Sequence, residues 1–274
     1  MEIKTFIVDS FTTERFKGNP AGVCILDDDI TENSMLSIAR ELGLSETAFI
    51  KRLSGDKSFS IKYFSPKMEM PLCGHATLAA AKVLFNASDS DEIHFTTIED
   101  LDLLIKRKNE VITMDFPVYN TQAVIVPSIM LDALGIKEVI NTAFCPKNRD
   151  IILEVKNSDI LAVLNPDFNA LINSYSNITG VVVTARSSKR DYDYEYRYFW
   201  PWAGTNEDPV TGGVQTFLAK YWSEKLDKIK MKAFQSSGRT GYMAVELQND
   251  KVLISSQAII TFVGTLTGIA SEVL

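Results

Sequence analysis

Histidine is nearly missing from this chain: His75 and His94 are the only two in 274 residues. A metal centre built mainly from imidazoles is excluded on that ground. Cysteine is scarce as well. Cys24, Cys73 and Cys145 are an odd number with no CxxC pair, which argues against a disulfide framework and a ligand-spaced zinc site and fits a reducing compartment. Positive charge is in the minority, with 28 Lys+Arg against 35 Asp+Glu, a net charge of -7 and a pI near 5.0. With no Lys/Arg run interleaved with aromatics, the chain lacks the surface that nucleic-acid phosphates reward. Long apolar runs are lacking too. The most apolar stretch, 123–136, is broken by Pro127, Ser128 and Asp132 and is too short to span a bilayer. The chain opens Met1-Glu2-Ile3-Lys4 and passes straight into a strand pattern, without the basic, apolar, then small-residue order of a secretion signal. No P-loop, GxGxxG, GxSxG or HExxH occurs, so nucleotide-binding, hydrolase-elbow and zinc-protease chemistry lose their main support. The expectation is a cytoplasmic protein with neither nucleic acid nor membrane among its partners.

What is present is ordinary globular composition, 46% hydrophobic and 23% charged, enough for one large core or two modest ones. The chain also repeats itself. Thr47–Phe85 reads as strand, turn, strand, loop, helix, and Gly180–Lys225 reads in the same order. Tyr63-Phe64-Ser65-Pro66 matches Tyr198-Phe199-Trp200-Pro201. Each copy continues through a polar loop to small residues, Cys73-Gly74 or Gly212-Gly213, and then to a helix that is apolar nearly all round. Such a helix is buried inside other structure. Period-two alternation near Ser58–Phe64 and Tyr192–Tyr198 marks half-buried strands.

Further strands are expected at Ile3–Val8, Gly22–Leu26, Leu101–Ile105 and Val111–Phe116, then at Ile151–Val155, Met243–Leu247 and Val252–Ser255. Surface helices are expected at Glu32–Leu42, with Asn33 near its start and Gly43 after its end, and at Ile129–Leu134. Pro117–Pro127 reads as a linker. The class is α+β: residues 1–118 form an N-terminal half, with 263–274 a candidate to close it, and 119–262 form a C-terminal half.

The two loop–helix junctions are equivalent points of the repeat. A buried helix N-terminus offers free N–H groups and a positive dipole end, which suits a carboxylate. Gly74, Gly212 and Gly213 allow close approach to the backbone. Glu46 sits at the mouth of an apolar strand, where desolvation raises a carboxyl pKa toward the range of an acid/base. His75, at a helix N-terminus, should stay neutral because the dipole opposes its cation. On residue chemistry alone, each has a plainer reading. Glu46 reads equally as a solvated strand-start carboxylate, His75 as a turn histidine bonded to backbone, and Asp208 as a turn or cap residue.

Six motifs in order decide between these readings. They are Gly18-Asn19-Pro20-Ala21-Gly22-Val23, Leu44-Ser45-Glu46-Thr47-Ala48-Phe49, Tyr63-Phe64-Ser65-Pro66, Leu72-Cys73-Gly74-His75-Ala76-Thr77-Leu78, Glu207-Asp208-Pro209-Val210-Thr211-Gly212 and Gln235-Ser236-Ser237-Gly238-Arg239. Together they resemble the PhzF family of phenazine biosynthesis. The resemblance implies a diaminopimelate-epimerase-like fold, two pseudo-symmetric domains with strands wrapped around a central helix and the site between them, as a homodimer. It implies an isomerase needing no metal or organic cofactor that shifts a proton on a small acidic substrate; the best-known member acts on a dihydro-hydroxyanthranilate. Matched motif by motif, it assigns Glu46, His75 and Asp208 to catalysis. Asn19, Ser45, Cys73, Gly74, Gly212 and Gly213 are assigned to substrate binding.

Two departures qualify the match. Related epimerases and proline racemases face two cysteines across the substrate, whereas here the second position holds Thr211, so a two-thiol racemase is disfavoured and Cys73 reads as a small buried residue. Family members commonly carry Thr-Gly-Ser-Ala-His where this chain has Thr211-Gly212-Gly213-Val214-Gln215. Losing the serine's hydrogen bond to a charged group costs about 1.5–3 kcal/mol. That bears on the substrate more than on the fold. An epimerase or racemase of a small acid, and a non-catalytic ligand-binding relative, remain the alternatives.

Overall fold

Alternation of apolar and polar side chains dictates strands along most of the chain, and the computed structural model describes residues 2–55 and 57–268. In order these hold β1 (Ile3–Ser10), β2 (Asn19–Leu26), α1 (Glu32–Leu42), β3 (Thr47–Arg52), β4 (Ser58–Phe64), β5 (Glu69–Met70), α2 (Gly74–Asn86), β6 (Glu92–Thr96), β7 (Asp102–Lys108) and β8 (Val111–Pro117). Next come β9 (Gln122–Ala123), α3 (Ser128–Leu134), β10 (Asn141–Cys145), β11 (Asp150–Glu154), α4 (Ser158–Val163), α5 (Phe168–Ser174), β12 (Gly180–Arg186) and β13 (Tyr194–Trp200). After a 3-10 turn at Pro201–Ala203 follow β14 (Thr205–Asp208), α6 (Gln215–Leu226), β15 (Lys230–Gln235), β16 (Gly241–Gln248), β17 (Lys251–Ser256) and β18 (Ala258–Leu266). Two compact units result. The described residues up to Asp115 and those from Ser255 make the first, and Phe116–Ile254 makes the second. The chain leaves the first unit within β8 and re-enters it within β17. Residues 269–274, the end of the segment expected to close the N-terminal half, lie outside the described residues.

In the first unit β18 pairs antiparallel with β1, β1 antiparallel with β2, and β2 parallel with β3. β3 runs antiparallel to β4, which pairs antiparallel with β5 and parallel with β6, and β6 continues antiparallel to β7. The second unit repeats every step: β9 to β10 and β10 to β11 antiparallel, β11 to β12 parallel, β12 to β13 antiparallel. β13 then pairs antiparallel with β14 and parallel with β15, and β15 antiparallel with β16. Parallel neighbours require a crossover. α1 and α2 supply the two in the first unit, and α4–α5 and α6 supply them in the second. The internal match between Tyr63–Pro66 and Tyr198–Pro201 is thus a repeat of topology.

α2 buries residues on every side, from His75 to Phe85, and packs against β1, β2, β3 and β18. Its run Ala79-Ala80-Ala81 keeps the helix narrow enough for strands to approach it from several directions. α6 likewise buries Phe217, Leu218, Ala219, Tyr221 and Trp222 and packs against β15 and β16. α1 is amphipathic, turning Met35, Ile38 and Ala39 onto a cluster with Ile3, Leu26, Phe49 and Phe64. Its start is capped by Thr31, whose side chain accepts from Ser34 N, so Asn33 lies inside the helix; Gly43 ends it at φ 63°. The expected linker Pro117–Pro127 contains β9, which pairs with β10. Among the described residues no helix is long and apolar enough to cross a membrane.

Candidate active site

The first unit places Glu46 immediately before β3, where the Glu46 carbonyl accepts from Gly22 N at 3.1 Å. Only glycine fits at position 22, since a Cβ there would lie 2.7 Å from Thr47 Oγ1. Glu46 is 4% exposed, and its Oε2 lies 3.2 Å from His75 Nε2. Ser45 Oγ reaches the same nitrogen at 3.3 Å. Cys73 Sγ lies 3.4 Å from His75 Nδ1 and 3.9 Å from Nε2. Cys73 is half-buried, not fully buried as its small apolar character suggested, because it is the residue from which α2 departs.

Neighbouring strands fix the start of α2. Ser10 at the end of β1 donates its hydroxyl to the His75 carbonyl at 2.7 Å. Thr77 Oγ1 donates to the Cys73 carbonyl at 2.7 Å and lies 2.6 Å from the hydroxyl of Tyr63 in β4. The first-turn N–H groups of Gly74, His75 and Ala76 have no acceptor within the helix. Burial pushes the His75 imidazole down to about 3, so the ring is neutral near pH 7. The neutrality expected from the helix dipole therefore holds, but desolvation is its cause. A neutral ring has one N–H and one lone pair. The arrangement that satisfies all three groups has Nε2–H donating to the Glu46 carboxylate and Nδ1 accepting from the Cys73 thiol. Asn19, fully buried at the start of β2, is the antiparallel partner of Ser10.

The second unit places Asp208 at the end of β14, 4% exposed and opposite Tyr198 of β13. Thr211 donates its hydroxyl to the Asp208 carboxylate. Gln235 clamps the same turn from β15: its Nε2 donates to the Asp208 carbonyl at 2.6 Å and its Oε1 accepts from Thr211 N at 2.6 Å. The Tyr196 hydroxyl donates to the Thr211 carbonyl at 2.9 Å, and Ser237 donates to the carbonyl of Pro209. The helix expected to start near Gly212 begins at Gln215, preceded by a turn in which Gln215 N donates to the Gly212 carbonyl at 3.0 Å. A Cβ on Gly213 would meet nothing within 4 Å.

Glu46, Ser45, Cys73, Gly74 and His75 thus gather at one helix start, and Asp208, Gly212 and Gly213 gather at the equivalent point of the other unit. Of the supporting residues, Ser10 and Tyr196 were not singled out from sequence; Tyr63, Thr77 and Gln235 were legible only as parts of motifs. Ligand-capable atoms of Glu46, Cys73 and His75 lie within 4.8 Å of one another. Sequence spacing does not show this cluster, because Glu46 reaches it from a different element.

Two units of one topology, each with a buried helix whose start carries polar groups, define the diaminopimelate-epimerase-like class of isomerase folds. Within that class the chain belongs to the phenazine biosynthesis-like protein family, whose pattern matches residues 8–264. An uncharacterised isomerase of Pseudomonas aeruginosa is 39% identical over 97% of this chain and 99% of its own length. The crystal structure of a PhzF-family phenazine biosynthesis protein from Enterococcus faecalis superposes with a TM-score of 0.91 at 34% identity, covering 97% of this chain and 100% of that one. A hydroxyproline epimerase from Agrobacterium vitis shares the fold alone, at 11% identity and a TM-score of 0.57, over 97% of this chain and 91% of that one. This chain is accordingly an isomerase of the PhzF-like family.

Proposed function

We propose that the protein shifts a proton on a small cyclic or unsaturated carboxylic acid, with Glu46 as the acid/base and no cofactor. The observation that carries this reading is the buried contact of 3.2 Å between Glu46 Oε2 and His75 Nε2 at the start of α2. Glu46 takes a proton from a carbon next to the unsaturated system, and the C–H electron pair moves into that system. The Glu46 carboxyl then returns the proton to a second carbon while the double bond shifts. Nothing is oxidised or reduced, so the step calls for no redox partner. Neutral His75 holds the carboxylate by a hydrogen bond without neutralising it as an ion pair would. The first-turn N–H groups of α2 suit the substrate carboxylate or the negative charge that develops on it.

Asp208 and Gly212, which lie in the matched motif Glu207–Gly212, and the neighbouring Gly213 are assigned by the resemblance to catalysis and substrate binding in the second unit. A homodimer is part of the same reading, and light scattering on the purified protein tests it. A second reading, epimerisation of a small acid, draws support from the half-buried Cys73 thiol beside His75 and is opposed by Thr211 at the second thiol position. Chiral chromatography of the product separates the two readings.

The primary test screens small cyclic acids for deuterium uptake in heavy water by NMR. A general acid/base contributes roughly 10²–10⁴-fold, so Glu46→Gln should lower exchange by about that factor while substrate binding is largely kept. Exchange at the normal rate in Glu46→Gln removes Glu46 from the mechanism.

A further inference from the structure

The ring of His75 meets a different neighbour at each nitrogen. Glu46 Oε2, just before β3, lies 3.2 Å from Nε2, while Cys73 Sγ lies 3.4 Å from Nδ1 and 3.9 Å from Nε2. The sulfur therefore belongs to Nδ1. Ser45 Oγ, 3.3 Å from Nε2, competes with Glu46 for that nitrogen. Burial pushes the ring down to about 3, so near pH 7 it is neutral, with one N–H, one lone pair and two tautomers open to it.

While Glu46 is a carboxylate it selects the Nε2–H tautomer by itself, since two lone pairs facing each other across 3.2 Å repel. Once Glu46 has taken the substrate proton, that preference fades. A carboxyl can equally donate to a bare Nε2, as can the Ser45 hydroxyl, and a proton turned toward the ring is withheld from the substrate. Nδ1 then decides. In the Nε2–H form it accepts from the Cys73 S–H. In the other form its own N–H points at a sulfur, a weak acceptor, and a buried donor is left poorly satisfied. The surroundings hold both partners in place. Thr77 donates to the Cys73 carbonyl at 2.7 Å, and Ser10 donates to the His75 carbonyl at 2.7 Å. The Cys73 side chain makes no capping bond to α2 that would turn it from the ring.

We propose that Cys73 is a positioning residue for the proton shift: its thiol, donating to His75 Nδ1, locks the ring in the Nε2–H tautomer and keeps the proton on Glu46 turned to the substrate. The lock stands on the geometry around His75. Its effect on turnover rests on the reading of Glu46 as the acid/base. Cys73 neither takes nor gives a substrate proton in this role, and no bond to its sulfur forms or breaks. That separates it from the substrate contact that the family resemblance assigns to it, and from the thiol base of the epimerase reading.

NMR of the full chain with ¹⁵N-labelled histidine reads the lock directly. Only His75 and His94 report, and His94→Gln tells them apart. His75 should show a protonated Nε2 and a hydrogen-bonded acceptor at Nδ1. Cys73→Ala should move the Nδ1 resonance toward that of an unbonded acceptor, and Cys73→Ser, which keeps a donor, should hold it in the bonded range. A ring protonated at Nδ1, or an Nδ1 resonance indifferent to Cys73→Ala, overturns the lock. Because the Cys73 side chain caps nothing, both variants should fold, and circular dichroism checks this. On a substrate that exchanges deuterium, Cys73→Ala should lower kcat by roughly two- to tenfold, the equilibrium worth of one neutral hydrogen bond, with KM nearly unchanged. Cys73→Ser should recover most of that loss. A raised KM with normal kcat makes Cys73 a substrate contact, and a loss of about 100-fold or more in both variants makes it a base. Either result overturns the positioning role. Should Glu46→Gln exchange normally, the acid/base reading fails while the ring spectra still decide the lock.

Discussion

Asp150 shows how burial sets the behaviour of one carboxyl. It lies at the start of β11, accepts from the Tyr198 hydroxyl at 3.0 Å, and burial pushes its carboxyl up to about 8, against smaller opposing effects from Tyr198, the Gly180 backbone and Arg149. The folded protein therefore keeps a proton that the unfolded chain has released above about pH 4. Stability from this group is fully present below pH 4 and is lost as pH rises toward 8. Asp150→Asn removes that dependence, so it should stabilise the protein at pH 8 relative to wild type, by an amount on the order of a few kcal/mol, and do little at pH 4.5. Urea midpoints at the two pH values check this, and a parallel shift at both would show that Asp150 is not the titrating group. Nothing in the sequence marks Asp150, because a raised pKa depends on neighbours that only folding assembles. Glu46, His75 and Asp208 were legible as motif members. The contacts of His75 with Glu46 and with Cys73 were not, since they depend on how the chain packs around the start of α2.

Elements were legible where they are long and carry their own signals. α1 has a Thr cap, an amphipathic face and a terminal glycine, and its bounds follow from those. α4 and α5, of six and seven residues, are too short for a periodic pattern and depend on the caps Asn157 and Asp167 and on packing. The turn between β14 and α6 is held in another way, from outside, by a side chain of β15. Gln235 is fully buried and bonds to both ends of that turn. Gln235→Leu fills similar space but leaves Thr211 N and the Asp208 carbonyl without this partner, at a cost of about 1–3 kcal/mol for each group left unsatisfied. Loss of stability in that range is the expected result of chemical denaturation. Because the turn also positions Asp208, turnover should fall by more than substrate binding weakens. A variant with lowered stability and intact turnover would make Gln235 purely structural.

The molecule as a whole uses one strand order twice and gives the two copies different chemistry. Tyr63 of β4 stands opposite Met70, whereas Tyr198 of β13 stands opposite Asp208. The first helix start carries Cys73 and His75, and the second is preceded by Thr211, Gly212 and Gly213. Repetition of topology was legible because the apolar pattern and the Tyr-Phe-x-Pro turn recur. The division of chemistry was legible only where a motif differed from its family, and Gly213 is the sharpest such place. Its φ lies outside the left-handed region and a Cβ there meets nothing within 4 Å, so neither backbone nor packing demands glycine. Gly213→Ser should therefore fold normally, with a stability change within about 0.5 kcal/mol, as for a position with no packing or backbone constraint. Its new hydroxyl restores the donor that the phenazine enzymes commonly have, and a hydrogen bond to a charged carboxylate contributes about 1.5–3 kcal/mol. Turnover of a dihydro-hydroxyanthranilate, followed by NMR in heavy water, should rise about 10–100-fold over the unmodified chain if that bond forms in the transition state. A variant that melts normally yet leaves this turnover flat would show that position 213 does not set the substrate range, and that the difference from the phenazine enzymes lies elsewhere in the site.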